Sequence, residues 1–277
     1  MATVQELLRA ARELPGESPG RDVEVLLGHC LGRPRAWLYA WPEAPVEGEG
    51  LARFESLLAQ RRRGVPVAYL TGRREFWTLE LAVDRHTLIP RPETESLVEW
   101  ALALANPAQA AVLDLGTGSG AIALALASER PRWRLTAVDA SEVALGVARA
   151  NATRLGLQRV EFLLSDWYRA VAGRRFHLLL ANPPYVGADD PHLAQGDLRF
   201  EPRAALVAPE EGMADLARLV RGAPAHLHPG GHLLLEHGCE QGEQVRRLLL
   251  EAGFSEVETR LDMAGRERVS GGRRRAQ

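Results

Sequence analysis

Four short, strongly apolar runs recur after Ala111: "AVLDLG", "RLTAVD", "VEFLLSD" and "FHLLLANPP". Each is closed by Gly, Asp or Pro and separated from the next by a helix-like stretch. A strand with one wet face alternates polar and apolar residues, whereas a run apolar at every position belongs to a strand covered on both faces, as in a parallel sheet between two layers of helices. The pattern predicts a doubly wound α/β domain, with later strands supplied by "GGHLLLEHG" and the closing "FSEVETRLDMAGRERVSGGR". In such a fold ligands bind outside the carboxyl ends of the strands. The residues that close each run are therefore the first candidates for chemistry.

The earlier residues read differently. Up to about Gln60, apolar residues fall at helical spacing with Pro and Gly between the segments, which predicts a small all-α domain over 1–65. From Val67 the stretches "VAYL", "REFW" and "LELAV" are separated by turn residues and predict a β-hairpin linker over 66–90. In "TLIPRPETESLVEWALALA", Pro90 and Pro92 precede a helix with an acidic first turn, and the α/β domain is expected over 91–277.

Composition narrows the function classes. The chain of 277 residues has 25% charged residues, a formal net charge of −2 and a pI near 6.5. No global positive field is present to hold a nucleic-acid backbone, so no stable nucleic-acid partner is expected. Residues 1–80 carry eleven Arg against eleven Asp and Glu, so they form no basic clamp. The triplets Arg61–Arg63 and Arg273–Arg275 read as solvated surface. Cys30 and Cys239 are far apart and lack metal-ligand spacing, so neither a disulfide framework nor a zinc site is suggested. The first residues read as an amphipathic helix rather than a signal peptide, and no run approaches a membrane span. A cytoplasmic protein without a membrane partner is the expectation.

Three run-ends carry cofactor chemistry. "LDLGTGSGAIALALA" sets Gly116, Gly118 and Gly120 between a strand and a helix, with Thr117 and Ser119 between them and Asp114 at the strand end. Glycines let the turn approach a ligand closely, and the helix N-terminus adds N–H groups. By itself this fingerprint divides between NAD enzymes and methyltransferases. Asp139 ends the next strand, where a carboxylate can accept both ribose hydroxyls of an adenosine; capping of the helix that follows Ser141 is the plainer role. In "LLSDWY", Asp166 is placed to accept from an adenine amine and Trp167 to stack on its ring.

The fourth run stops at Asn182-Pro183-Pro184-Tyr185. Two prolines cannot continue a ladder, because neither has an N–H to donate and each fixes its own φ, so the turn is rigid. The prolines leave carbonyls free, Asn182 offers a side-chain carbonyl and Tyr185 a flat face. A planar nitrogen with two N–H bonds fits there. Such a nitrogen is a poor nucleophile because its lone pair is delocalised. Acceptors at Asn182 Oδ1 and the Pro183 carbonyl fix its direction toward a methyl sulfonium and favour pyramidalisation. The catalytic candidates are Asn182, Pro183 and Tyr185, with no metal required.

With these residues in place the chain resembles the HemK/PrmC family, the S-adenosylmethionine-dependent methyltransferases that modify the glutamine of the Gly-Gly-Gln motif in peptide chain release factors. The resemblance rests on "PVAYLTGRREFW", "LIPRPETE", "LDLGTGSGAIALALA", "SDWY", "NPPY", "FEPRAALVA", "LLLEHG" and "AGRERVSGGR". It implies a class I methyltransferase domain over 91–277, S-adenosyl-L-methionine as cofactor with S-adenosyl-L-homocysteine as product, and class 1 release factors as partners. It places the cofactor at Asp114, Gly116 to Gly120, Asp139, Asp166, Trp167 and Asn182. The target amide falls at Asn182, Pro183, Pro184 and Tyr185, with Arg91, Pro92, Glu93 and Thr94 bordering the cleft. It also implies a docking role for the helical domain and suggests that the loop before Glu201-Pro202-Arg203 closes over the peptide. Methylation of adenine N6 in DNA or RNA is the alternative, since an adenine amine offers the same pair of donors. A non-catalytic binding module is disfavoured because the glycines, both aspartates and the whole of NPPY are intact together.

Overall fold

The computed structural model describes residues 2–14 and 18–275, which divide into two compact units. The first comprises residues up to Arg73 together with Pro191–Phe200. A two-residue strand β1 (Ala2–Thr3) leads into α1 (Val4–Leu8), whose capping box joins Thr3 and Glu6. Then follow α2 (Pro19–Leu31), α3 (Arg35–Ala40), β2 (Pro45–Val46), paired to β1, α4 (Gly48–Arg62) and α5 (Val67–Thr71). Pro19 opens α2, and Gly32 ends it at φ 60°, a left-handed cap that favours glycine. Val23, Leu26 and Leu27 meet Val4, Leu38, Phe54 and Leu58 in the core of this unit. "VAYL", expected in a hairpin or linker, is instead helical, and Val67 and Leu70 pack on this core. Arg61 also departs from expectation. Its guanidinium is largely buried, reaches Asp22 at 2.7 Å and Asp197 at 3.0 Å, and donates to the carbonyls of Gly64 and Val65. Residues 191–200 join the helical unit partly through that contact, so the "VGADDPHLAQGDLRF" loop is not one uniform flap.

The second unit holds the hairpin β3 (Arg73–Phe76) and β4 (Leu79–Ala82), then α6 (Glu95–Ala103) and the main sheet. Its elements are β5 (Ala111–Leu115), α7 (Ala121–Glu129), β6 (Arg134–Asp139), α8 (Glu142–Arg154), β7 (Glu161–Leu164) and β8 (Phe176–Ala181). They continue as α9 (Arg203–Leu206), α10 (Ala214–His226), β9 (Leu227–Glu236), α11 (Gly242–Glu251), β10 (Phe254–Leu261) and β11 (Glu267–Arg274). The strand order is β10-β11-β9-β8-β5-β6-β7. β7, β6, β5, β8 and β9 run parallel; β11 lies antiparallel between β9 and β10. This is a doubly wound α/β sheet with one reversed strand.

Period-two alternation splits the core into two layers. Leu178, Leu180 and Leu234 face α6 and α7 with Val98, Trp100 and Leu124; Leu179, Ala181, Leu233 and Leu235 face α10 and α11 with Leu216, Val220 and Leu249. The helix α7 is apolar on every side and buried from Ala121 to Ala127, as a helix between a sheet and further helices must be. β7 is less covered than its sequence suggests, with Leu164 exposed at the sheet edge. Among the described residues no helix is long and apolar enough to cross a membrane.

Candidate active site

β5 ends at Leu115, and the three glycines beyond it take φ values of 79°, 56° and 88°. Side chains rarely adopt that region, so the turn requires glycine. The N–H groups of Gly116 and Thr117 both donate to the Val138 carbonyl at 2.9 Å, and that of Gly118 donates to Asp139 Oδ2 at 2.8 Å. Asp139 Oδ1 accepts from Ser141 N–H at 2.8 Å, while the Ser141 hydroxyl caps α8. Asp139 thus pins the glycine loop, and its oxygens keep lone pairs for a ligand. Burial raises its carboxyl, opposed by the backbone donors Ser141, Gly118 and Ala140. The buried Asn151 braces the loop from α8, donating to the Ser119 carbonyl at 3.0 Å and bonding both backbone groups of Ala82. Its position in a helix gave no sequence signal.

Asp114 is fully buried. Its Oδ2 accepts from the Thr117 hydroxyl at 2.6 Å, and Oδ1 has no partner among the described residues. Burial pushes this carboxyl up to about 7, against the pull of the Thr117 hydroxyl. Across the loop lies Trp167, whose ring would sit 3.3 Å from a Cβ at Gly116 and whose Nε1 donates to Asp215 Oδ1 at 3.2 Å. Asp166 goes elsewhere. Half exposed, it pairs with Arg218 at 2.6 Å, and the bond from that guanidinium holds it below the usual carboxylate range.

The proline turn emerges beside this loop because of register. Ala181 pairs with Leu115 on one side and Leu235 on the other, so Gly116, Asn182 and Glu236 leave three adjacent strands at the same level. Asn182 Nδ2 donates to the Thr94 hydroxyl at 3.1 Å, and Oδ1 has no partner among the described residues. Pro183 is buried and Pro184 partly so. Tyr185 donates its hydroxyl to Glu236 Oε1 at 3.2 Å, and its carbonyl accepts from Gln241 Nε2 at 3.0 Å. The Tyr185 phenol is raised by burial and by the Glu236 charge.

Glu236 is only 1% exposed, and its Oε2 has no hydrogen-bond partner among the described residues. Burial pushes its carboxyl up to about 7; Thr94, Arg268 and Tyr185 pull it down, and Glu93 adds to the rise. No role for Glu236 was expected. The available signal was the one that marks Asp139: a carboxylate closing an apolar run, here "LLLEHG". Glu201 was likewise missed as a brace. Its buried carboxylate takes the Ile89 N–H at 2.9 Å and pairs with Arg91, fixing the segment that carries Pro92, Glu93 and Thr94.

Two family models match this chain. Residues 3–72 match a family model described as the PrmC N-terminal domain, and residues 94–196 match the methyltransferase small domain. The release factor glutamine methyltransferase of Pseudomonas aeruginosa is 51% identical over 270 residues, covering 98% of each chain. That of Escherichia coli K12 is 50% identical over 257 residues, covering 93% of each. Among solved structures, a methyltransferase from Pyrococcus furiosus aligns with a TM-score of 0.55 at 18% identity, over 82% of this chain and 98% of its own. A SAM-dependent methyltransferase from Agrobacterium tumefaciens gives 0.51 at 17% identity, over 74% and 70%. At such identities the likeness is one of fold. Sequence relatedness across almost the whole length is the stronger finding: the chain belongs to the release factor glutamine methyltransferase family.

Proposed function

We propose that this protein transfers a methyl group from S-adenosylmethionine to the side-chain amide nitrogen, N5, of the glutamine in the Gly-Gly-Gln motif of class 1 peptide chain release factors. The carrying observation is the Asn182 amide, held at Nδ2 by Thr94 with Oδ1 left open, in a chain of this family. Release factors work on ribosomes, so the reading assigns the enzyme to the cytoplasm.

The residues around the glycine loop suit a cofactor that is cationic at its reacting end. Asp114 has an unpartnered buried oxygen, and Asp139 closes the neighbouring strand. Two carboxylates beside the loop favour an ammonium and a sulfonium and would repel the diphosphate of NAD, which argues against the oxidoreductase reading. Asp139 is assigned to the ribose, and Asp166 with Trp167 to the adenine. When bound, S-adenosylmethionine supplies an electrophilic methyl carbon.

Asn182 Oδ1 and the Pro183 carbonyl accept the two N–H bonds of the target amide and turn its lone pair toward that carbon. With the cofactor bound, these acceptors would keep the amide nitrogen facing the methyl group that it would supply, and the N–H proton lost on methylation would pass to water. As the nitrogen loses amide conjugation its N–H groups become stronger donors, so the acceptors hold the transition state more tightly than the ground state. Tyr185, anchored to Glu236, closes one wall against the amide plane. The test is mass spectrometry of an unmethylated release factor after incubation with enzyme and cofactor. One added methyl on the Gly-Gly-Gln glutamine is expected. Cofactor binding without release-factor methylation, and with methyl incorporated into nucleic acid, would replace this reading with the adenine one.

A further inference from the structure

We propose that the amino edge of the main sheet, opposite the glycine loop and the proline turn, is a sequence-independent binding face for the phosphate backbone of RNA. The choice of RNA over other polyanions rests on the function reading above; the chemistry of the face does not.

Strand register assembles the face. Ala111 and Arg134 begin β5 and β6 as partners, Phe176 and Leu227 begin β8 and β9 as partners, and β7 opens with Glu161 beside Thr136. These strand ends border a cavity of about 670 Å³ whose charged lining is Arg132, Arg134, Arg159, Arg174, Arg175 and Glu161. The antiparallel β11 ends at the same edge and brings a further guanidinium. Arg274 donates to the Leu227 carbonyl, which also accepts from Arg175 Nη1 at 2.9 Å.

The cluster differs from ordinary solvated charge because its counter-charge is missing. Elsewhere in this unit arginines pair with carboxylates, Arg149 with Glu142, Arg246 with Glu267 and Arg273 with Glu256. Glu161 is the single carboxylate of the lining, and it is committed to Arg174 at 2.8 Å and to the Thr136 hydroxyl at 2.9 Å. Arg132, Arg134, Arg159, Arg175 and Arg274 make no ion pair among the described residues; the last three donate only to carbonyls. Like charges gathered without a counter-ion oppose folding, and a bound anion offsets that cost. The field reaches the neighbouring His177, whose imidazole is lowered by burial, by His228 and by Arg134. A net charge of −2 conceals this edge, because a sum over the chain carries no information about distribution.

Guanidinium groups match phosphate oxygens two at a time. The aromatic residues of the lining, Trp133 and Phe176, are 6% and 2% exposed, so the face offers neither an anchor for a protein partner nor a platform for stacked bases. Contacts limited to phosphates position a nucleic acid without reading its sequence. The six residues of β8 put about 20 Å between this edge and the Asn182 turn. RNA held here is therefore a tether and not the methyl acceptor, and it keeps the enzyme where release factors work.

Fluorescence anisotropy of the full chain with a labelled RNA duplex tests the face. Between about 50 and 200 mM salt, log K against log salt should fall with a slope of about −3 to −4, as about four phosphate contacts require. Arg132→Gln combined with Arg134→Gln should reduce that slope by about two and weaken binding at least about tenfold, equally for unrelated sequences. Lys at both positions keeps the charge and should keep the slope, and kcat/KM for a free release factor should be unchanged in the Gln variant. An unchanged slope in the Gln variant would overturn the proposal. So would inorganic triphosphate bound as tightly as RNA, which marks a small-anion site, or a DNA duplex bound more tightly than RNA. A matching loss of kcat/KM would also overturn it, by making the edge a release-factor contact. If the double variant fails to fold, which loss of cofactor binding would reveal, Arg132→Gln alone carries the test with an expected slope change of about one. The RNA measurement needs no methyl transfer, so failure of the function reading and failure of this inference are read separately.

Discussion

The glycine loop and the proline turn lie side by side at the carboxyl edge of the sheet and are built on opposite principles. The loop is made of backbone, and its anchors are near in sequence: Gly118 N–H reaches Asp139 across 21 residues, and Asp114 takes Thr117 from three residues away. The proline turn is stiff in itself but aimed by side chains from afar. Asn182 answers to Thr94 across 88 residues, and Tyr185 to Glu236 across 51. A ligand shared by many enzymes can be held by backbone groups that any sequence of the right shape provides. A single amide that must be turned one way needs side chains with a defined donor and acceptor sense, and those come from wherever the fold brings them.

The sharpest way to break this contrast is Asn182→Ala. If the turn acts on the target alone, methyl transfer should fall by about 10³-fold, the scale of removing one oxyanion-type contact, while calorimetric cofactor affinity is retained. An equal loss of cofactor binding would merge the two regions into one. Gly116→Ala probes the other side. A methyl there meets the Trp167 ring at 3.3 Å and a φ of 79°, so cofactor affinity should weaken about tenfold while the KM for the release factor stays close to wild type. A KM change without a cofactor effect would misplace the loop.

A smaller effect separates the buried carboxylates by pH. Glu236 is raised from 4.5 to about 7 in the folded state, so the native protein keeps a proton that the unfolded chain has already lost. Its contribution to stability is complete below the unfolded value and disappears as pH rises through 7, a change of a few kcal/mol at most. Relative to Glu236→Gln, the wild type should therefore lose Tm between pH 5 and pH 8. Parallel Tm curves for the two proteins would show that burial does not raise this carboxyl. Asp114, also near 7, contributes with the same sign in both proteins and cancels in the comparison.

What was readable in the chain follows the same line between near and far. The apolar runs, the glycine turn and Asp139 announce themselves because their partners are their sequence neighbours. NPPY is legible as a rigid turn, but its anchors are not, since Thr94 meets Asn182 and Glu236 meets Tyr185 only after the sheet has formed. Asp166 and Trp167 are neighbours in one motif but have different partners in the fold: Trp167 lies over the loop while Asp166 pairs with Arg218. Arg61 shows the converse, a member of an arginine run that looks solvated until Asp22 and Asp197 enclose it. The hairpin signal began too early because "VAYL" carries strand-favouring residues that tertiary packing holds in a helix.

The reversed strand β11 also sets an order of assembly. It slots between β9 and β10 and pairs Val269 with Glu236, so the strand whose carboxylate anchors the Tyr185 hydroxyl gains its second neighbour from residues near the C-terminal end of the described chain. The β5–α7–β6 segment needs only residues 111–139 to shape the glycine loop. During synthesis the loop's own segment is complete more than a hundred residues before the Glu236–Val269 pair can form, and long-range pairing is the slower step of folding. A nascent chain therefore has the means to shape its glycine loop well before the strand that anchors Tyr185 is paired on both sides.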